Sequence, residues 1–161
     1  MAKNPDPEVK LTTVAGVTRT LDDWTTVFHL AVVVLPPRLE ARAWVPVIDR
    51  IYAVLGDSDL RTTVYVPGEA TIARRILGDD VDRWLTFADP AGELVSSLGL
   101  ERLPAIVHLR QDTTLAAIAE GWDPDAWQEV VDEMARAHHW THPLIAHHPG
   151  DPPPFEGWPV E

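Results

Sequence analysis

Polar and apolar residues follow several distinct rhythms along this chain, and each rhythm predicts an element. Residues 29–35 contain Val32-Val33-Val34 with no polar interruption, the signature of a strand buried on both faces. Pro36-Pro37 breaks that run. Ala41, Trp44, Val45, Ile48, Ile51, Tyr52 and Leu55 then recur at three and four residues, which predicts one long helix over 39–55 with a single apolar face. Pro46 lies inside this pattern and predicts a kink, because it removes an amide donor and crowds the preceding turn. Gly56-Asp57 ends the helix.

The same reading gives a short strand at 11–14 and a brief helix capped by Thr20 and carrying Trp24, Val27 and Phe28. A strand follows at 60–66, stopped by Pro67-Gly68, then a helix at 70–77. Residues 78–90 read as a loop anchored by Trp84, Leu85 and Phe87, and residues 91–98 as a helix closed by Gly99. Strands at 105–109 and 113–119, linked through Gln111-Asp112, predict an antiparallel hairpin. Asp123 caps a last helix with Pro124 in its first turn and Trp127, Val130, Val131 and Met134 as its inner stripe. Residues 1–10 read as a frayed extension. Beyond Trp140 come Pro143, Pro149, Pro152, Pro153, Pro154 and Pro159, so no helix or central strand can run through the tail. The expected organisation is one domain over 1–142 and a Pro-rich tail over 143–161, either strapped to the domain or free. The order of elements implies an α/β fold, a mixed sheet with helices on both faces.

Composition removes more hypotheses than it adds. The chain has 161 residues, enough for one ordinary core. It contains no cysteine, which excludes disulfides, thiolate metal sites and any sulfur nucleophile. The formal net charge of −12 opposes binding to phosphate backbones, so nucleic acid is not an expected partner. No apolar run is long enough to cross a bilayer and no h-region opens the chain, so no membrane role is expected and the cytoplasm is the expected compartment. Another protein, or a second copy of the chain, is the expected partner. No cofactor is expected.

Several residues carry a resemblance in their order and spacing. Val32-Val33-Val34-Leu35 leads into a helix with Pro46 at its expected kink. Leu103-Pro104 precedes the strand Ala105-Ile106-Val107, and Gly121-Trp122-Asp123-Pro124 opens the closing helix. Together, over residues 28–140, these resemble the thioredoxin-like superfamily, with Leu103-Pro104 in the place of its cis-proline. Phe87-Ala88-Asp89-Pro90-Ala91-Gly92-Glu93-Leu94 resembles the Ser/Asp-Pro-x-Gly-Glu-Leu segment of peroxiredoxins and membrane-tethered thiol reductases. By that resemblance the two thiol positions fall on Arg38 and Ala41, where neither residue can attack a disulfide. The resemblance therefore implies a thioredoxin-like domain without thiol–disulfide or peroxidase chemistry, and no catalytic residue is assigned.

It also implies a place for a partner. In such proteins the backbone beside the cis-proline pairs with an extended peptide, which requires shape and backbone polarity rather than sulfur. Pro37, Arg38, Glu40, Leu103 and Pro104 are the candidate peptide- or ligand-binding residues, with Arg38 also able to receive a small anion. In the tail, Trp140, Phe155 and Trp158 are candidates for an interaction surface. His138 and His142, four apart, are weak metal-ligand candidates beside His139, His147 and His148, and Pro143 argues against the helical spacing they need. His108 has no nearby nucleophile to activate and reads as a structural histidine. Two alternatives to the adaptor reading stay open: an oxidoreductase component using a partner's cysteines, and an enzyme of cysteine-free chemistry.

Overall fold

The computed structural model describes residues 1–146 and 148–160, so His147 and Glu161 lie outside the described residues. Five strands form the central sheet: β3 (Leu30–Val34), β4 (Arg61–Val66), β5 (Leu85–Ala88), β7 (Ala105–Leu109) and β8 (Leu115–Glu120). Their spatial order is β5-β4-β3-β7-β8, with β3, β4 and β5 parallel and β7 and β8 antiparallel to their neighbours. A small antiparallel hairpin, β1 (Lys10–Thr12) and β2 (Thr18–Thr20), precedes the sheet. A third, two-stranded piece joins β6 (Arg102–Leu103) to β9 (Trp158–Pro159). The helices are α1 (Leu21–Trp24), α2 (Val45–Leu55), α3 (Ala70–Leu77), α4 (Glu93–Leu98) and α5 (Pro124–Ala137).

The uninterrupted apolar run of β3 follows from burial on both sides. Ala31 and Val33 belong to one core layer with α2, α3 and α5, whereas Leu30, Val32 and Val34 belong to another with α1, α4 and the hairpin. Side chains alternate across a strand, so this parity divides every central strand into two sets. In β7, Ala105, Val107 and Leu109 face the α4 layer and Ile106 faces the α5 layer.

The structure corrects several expectations. Residues 1–10 are not frayed, since the Lys3 amide donates to the Leu98 carbonyl and Asn4 Oδ1 accepts from the Leu115 amide, both at 2.9 Å, and α1 ends at Trp24, short of Val27 and Phe28. Residues 39–55 are not one kinked helix. A 3₁₀ segment over Leu39–Trp44 is followed by α2, and Pro46 occupies the first turn of α2, where its missing amide costs no intrahelical hydrogen bond. The loop expected over 78–90 contains the edge strand β5, which is only four residues long and so carries little periodic signal. The two-residue hairpin link is longer than expected. Thr113 adopts φ 68°, its amide is donated to the Arg110 carbonyl, and a register shift interrupts the ladder between His108 and Leu109.

The caps read from the sequence are present. The Thr20 hydroxyl accepts from the Asp23 amide at 3.2 Å, and an Asp123 carboxylate oxygen accepts from the Asp125 amide at 3.1 Å. The peptide bond between Leu103 and Pro104 is cis.

Candidate functional site

The carboxyl ends of β3 and β4, the start of α4 and the strand β6 surround a cleft of about 610 Å³. Pro36, Pro37 and Arg38, Pro90, Ala91 and Gly92, and Leu103, Trp158 and Pro159 line it. Of the five residues expected there, Pro37, Arg38, Glu40 and Leu103 line the cleft. Pro104 is buried and lies outside that lining.

The Asp-Pro-x-Gly-Glu segment has a clear physical role. Asp89 Oδ2 accepts from the Tyr65 hydroxyl at 2.6 Å and from the Glu93 amide at 2.8 Å, which ties the end of β4 to the first turn of α4. Gly92 supplies the left-handed conformation, φ 64°, that the turn into α4 requires. Burial, and after it the neighbouring Asp89, pushes the Tyr65 phenol well above its ordinary range, so it remains a neutral donor. Opposite, Arg38 Nε donates to Glu40 Oε2 at 3.1 Å, and the Arg38 guanidinium lies 4.6 Å from the centroid of the Trp158 ring. Glu40 is held below the usual carboxylate range by its own backbone amide and then by Arg38.

The tail sits on this site. Leu103 pairs with Trp158 and Arg102 with Pro159 in antiparallel register, and the Val160 amide donates to the Glu101 carbonyl at 3.0 Å. Trp122 and Phe155 exchange both backbone hydrogen bonds, at 2.7 and 2.8 Å. Trp158 packs edge-on against Trp44 at 5.6 Å and against Phe155 at 4.6 Å. Trp122 Nε1 donates to the Pro152 carbonyl at 2.7 Å, and Arg50 ion-pairs with Asp151. Ile145 is fully buried. The aromatic residues Phe155 and Trp158 are thus turned onto their own domain, and Trp140 is anchored by its Nε1 to the Val54 carbonyl at 2.9 Å. The edge beside Pro104 is occupied by the chain itself.

Histidine placement departs from the expected grouping. His142 Nδ1 lies 2.8 Å from Asp132 Oδ1, away from the sheet. His138, at the end of α5, instead meets His29 and His108, with its ring centroid 4.7 Å from that of His29 and 6.0 Å from that of His108. His29 Nδ1 and His108 Nε2 are 2.9 Å apart, and His108 Nδ1 is 2.5 Å from Glu133 Oε2. Strand parity explains the meeting. His108 shares the α5-facing side of β7 with Ile106, it pairs with Ala31, and His29 precedes Ala31 by two residues on the same face. Burial, and after it the His108 imidazole, lowers both the His29 and the His138 pKa, so these rings resist protonation. Nothing in the sequence singles out His29, since its ring partners lie 79 residues or more along the chain.

No protein-family model and no curated relative matches this sequence. Solved structures do. The thioredoxin domain of a thiol-disulfide oxidoreductase from Bacteroides vulgatus superposes with a TM-score of 0.64 at 13% identity, covering 83% of this chain and 96% of that one. An uncharacterised thioredoxin-like protein from Porphyromonas gingivalis gives 0.65 at 14%, covering 92% and 97%. A secreted Mycobacterium tuberculosis disulfide oxidoreductase homologous to Escherichia coli DsbE gives 0.61 at 13%, covering 80% and 96%. The chain has the thioredoxin-like fold, and it lacks the cysteines that thiol–disulfide or peroxidase chemistry requires. The last comparison also corrects the cytoplasmic expectation. A fold shared with a secreted protein gives no support to the cytoplasm, and missing cysteines do not restore it. Among the described residues, no helix is long and apolar enough to cross a membrane.

Proposed function

We propose that this protein is a redox-inactive, thioredoxin-like adaptor that binds an extended peptide segment of another protein along β6, and that its own residues 155–160 are the resident competitor for that edge. The observation that carries the reading is the antiparallel register of Leu103 with Trp158 and Arg102 with Pro159 beside the cleft. The β6–β9 ladder is only two residues long, so an extended segment of like chemistry has few ladder bonds to outcompete there. The Pro36-Pro37-Arg38 wall and the indole of Trp158 specify that chemistry: an aromatic side chain under a guanidinium, followed by proline, whose missing amide suits an edge position. A second copy could exchange tails in the same geometry, which is the route to self-association.

The test uses the full chain with Trp158→Ala and a fluorescent peptide of residues 151–160. Polarisation should report saturable binding to the variant and at least tenfold weaker binding to the wild type, with unlabelled peptide competing. A variant that shows no binding while retaining the wild-type circular dichroism spectrum overturns the reading and leaves the tail as a permanent strap. Concentration-dependent dimerisation, measured by sedimentation velocity in the wild type and lost in Trp158→Ala, would assign the edge to a second copy instead.

A further inference from the structure

At the amino end of β3, far along the strand from the cleft, His29, His108 and His138 each offer one ring nitrogen, and these nitrogens all lie within 4.8 Å of one another. Three imidazoles in one place are an unusual use of a domain interior. A hydrogen-bond network accounts for only part of it. His108 is fully buried, and Glu133 faces its Nδ1, which fixes the proton on that nitrogen and leaves the Nε2 lone pair directed at His29. His138 Nε2 is buried with no hydrogen-bond partner among the described residues. An orphaned buried nitrogen costs the fold free energy unless something satisfies it.

The geometry points to a divalent transition-metal site of the zinc class, with His29, His108 and His138 as its three ligands and Glu133 as the carboxylate that orients His108. Zinc takes neutral imidazole at about 2.0–2.1 Å, which in a tetrahedron places ligand nitrogens about 3.3 Å apart. The His29–His108 separation of 2.9 Å needs a slight opening, and the widest separation closes by rotation of the half-buried His29 and His138 rings. Nitrogen donors without thiolate favour zinc over softer-ligand metals, and hard cations such as calcium call for oxygen donors. Glu133 and Asp59 favour a cation at this place, whereas Arg110 opposes it. Three protein ligands leave the fourth position to water. The ion would join the start of β3, the end of β7 and the C-terminal end of α5, three segments far apart in sequence.

The experiment is titration of zinc chloride into chelator-treated full-length protein, read by calorimetry and by thermal unfolding, followed by cobalt(II) substitution. One zinc per chain is expected, with a Tm that rises as zinc is added. Cobalt should give the intense visible absorption of a four-coordinate site. His29→Ala should abolish both signals, and His142→Ala should leave both unchanged. Glu133→Gln should weaken zinc by about 10–100-fold, the usual effect of losing a carboxylate behind a ligating histidine. If His29→Ala does not fold, Glu133→Gln and the wild-type cobalt spectrum carry the decision. Absence of zinc uptake by the wild type overturns the assignment. So does binding that survives His29→Ala and is lost in His142→Ala, which would move the ion to the exposed surface of α5. An octahedral cobalt spectrum with unaltered Glu133→Gln affinity overturns it equally.

Discussion

The two ends of the central sheet each contain a buried nitrogen with no hydrogen-bond partner among the described residues, and they differ in what surrounds it. At the cleft end, Trp44 Nε1 lies among Trp122, Phe155 and Trp158, under a tail already held by ladder bonds, ring contacts and the Arg50–Asp151 ion pair. At the histidine end, His138 Nε2 lies among imidazoles with one carboxylate behind them. An indole N–H can only donate, so Trp44 Nε1 offers no lone pair to a metal ion. An imidazole nitrogen can present a lone pair, so the second end does. The cleft end is occupied by the chain's own tail, and the histidine end is arranged for a ligand that the chain does not supply.

This contrast can be broken most forcefully at Trp44. Trp44→Ala removes the ring that three aromatic groups share and should cost about 3–5 kcal/mol in urea unfolding, with the tail released first as seen by hydrogen exchange at Val160 and Phe155. A uniform loss of protection across the sheet, with the tail no more affected than β4, would contradict a separable strap. Arg50→Ala strips the charged partner from a largely buried Asp151 and a hydrogen bond from the Ile145 carbonyl, so a loss of about 1.5–3 kcal/mol is expected in the same assay. Gly157→Ala should cost more than about 1 kcal/mol, since Gly157 has φ 99° and the new Cβ would fall 2.9 Å from the Leu103 carbonyl oxygen. The smallest effect, about 0.5–1 kcal/mol, is expected from Arg38→Ala, which removes only the guanidinium over Trp158. Combining Arg38→Ala with Glu133→Gln should give additive losses within about 0.5 kcal/mol, because the two ends share no partners. A larger interaction energy would show that the ends communicate through β3.

The fold was legible because its main signals are local. Val32-Val33-Val34, the stripe through Ile48, Ile51 and Leu55, the Asp123 cap and Leu103-Pro104 each act over a few residues. The candidate cleft was partly legible for the same reason, since Pro37, Arg38 and Glu40 adjoin the strand that positions them. Its occupant was not. A two-residue strand among prolines has no periodicity, so nothing in residues 141–161 distinguished a strap on β6 from a free arm. The histidine cluster was hidden by distance along the chain. His138 and His142 stood out through their four-residue spacing, yet the helix ends at Ala137 and His138 turns away to the sheet. Assigning His108 to the α5-facing parity of its strand was the available clue, and Glu133 on the inward side of α5 would have completed it.

Gly121 and Gly157 stand back to back, with a Cβ on Gly157 lying 3.1 Å from the Cα of Gly121, and a Cβ on Gly121 would strike the Glu156 carbonyl. Their bare backbones let the tail cross the chain just after β8 in near contact. In this chain the second glycine falls immediately before the aromatic residue and the proline, in Gly157-Trp158-Pro159. A side chain at either crossing point would hold the tail off the domain, so two missing side chains set how closely the strap can lie.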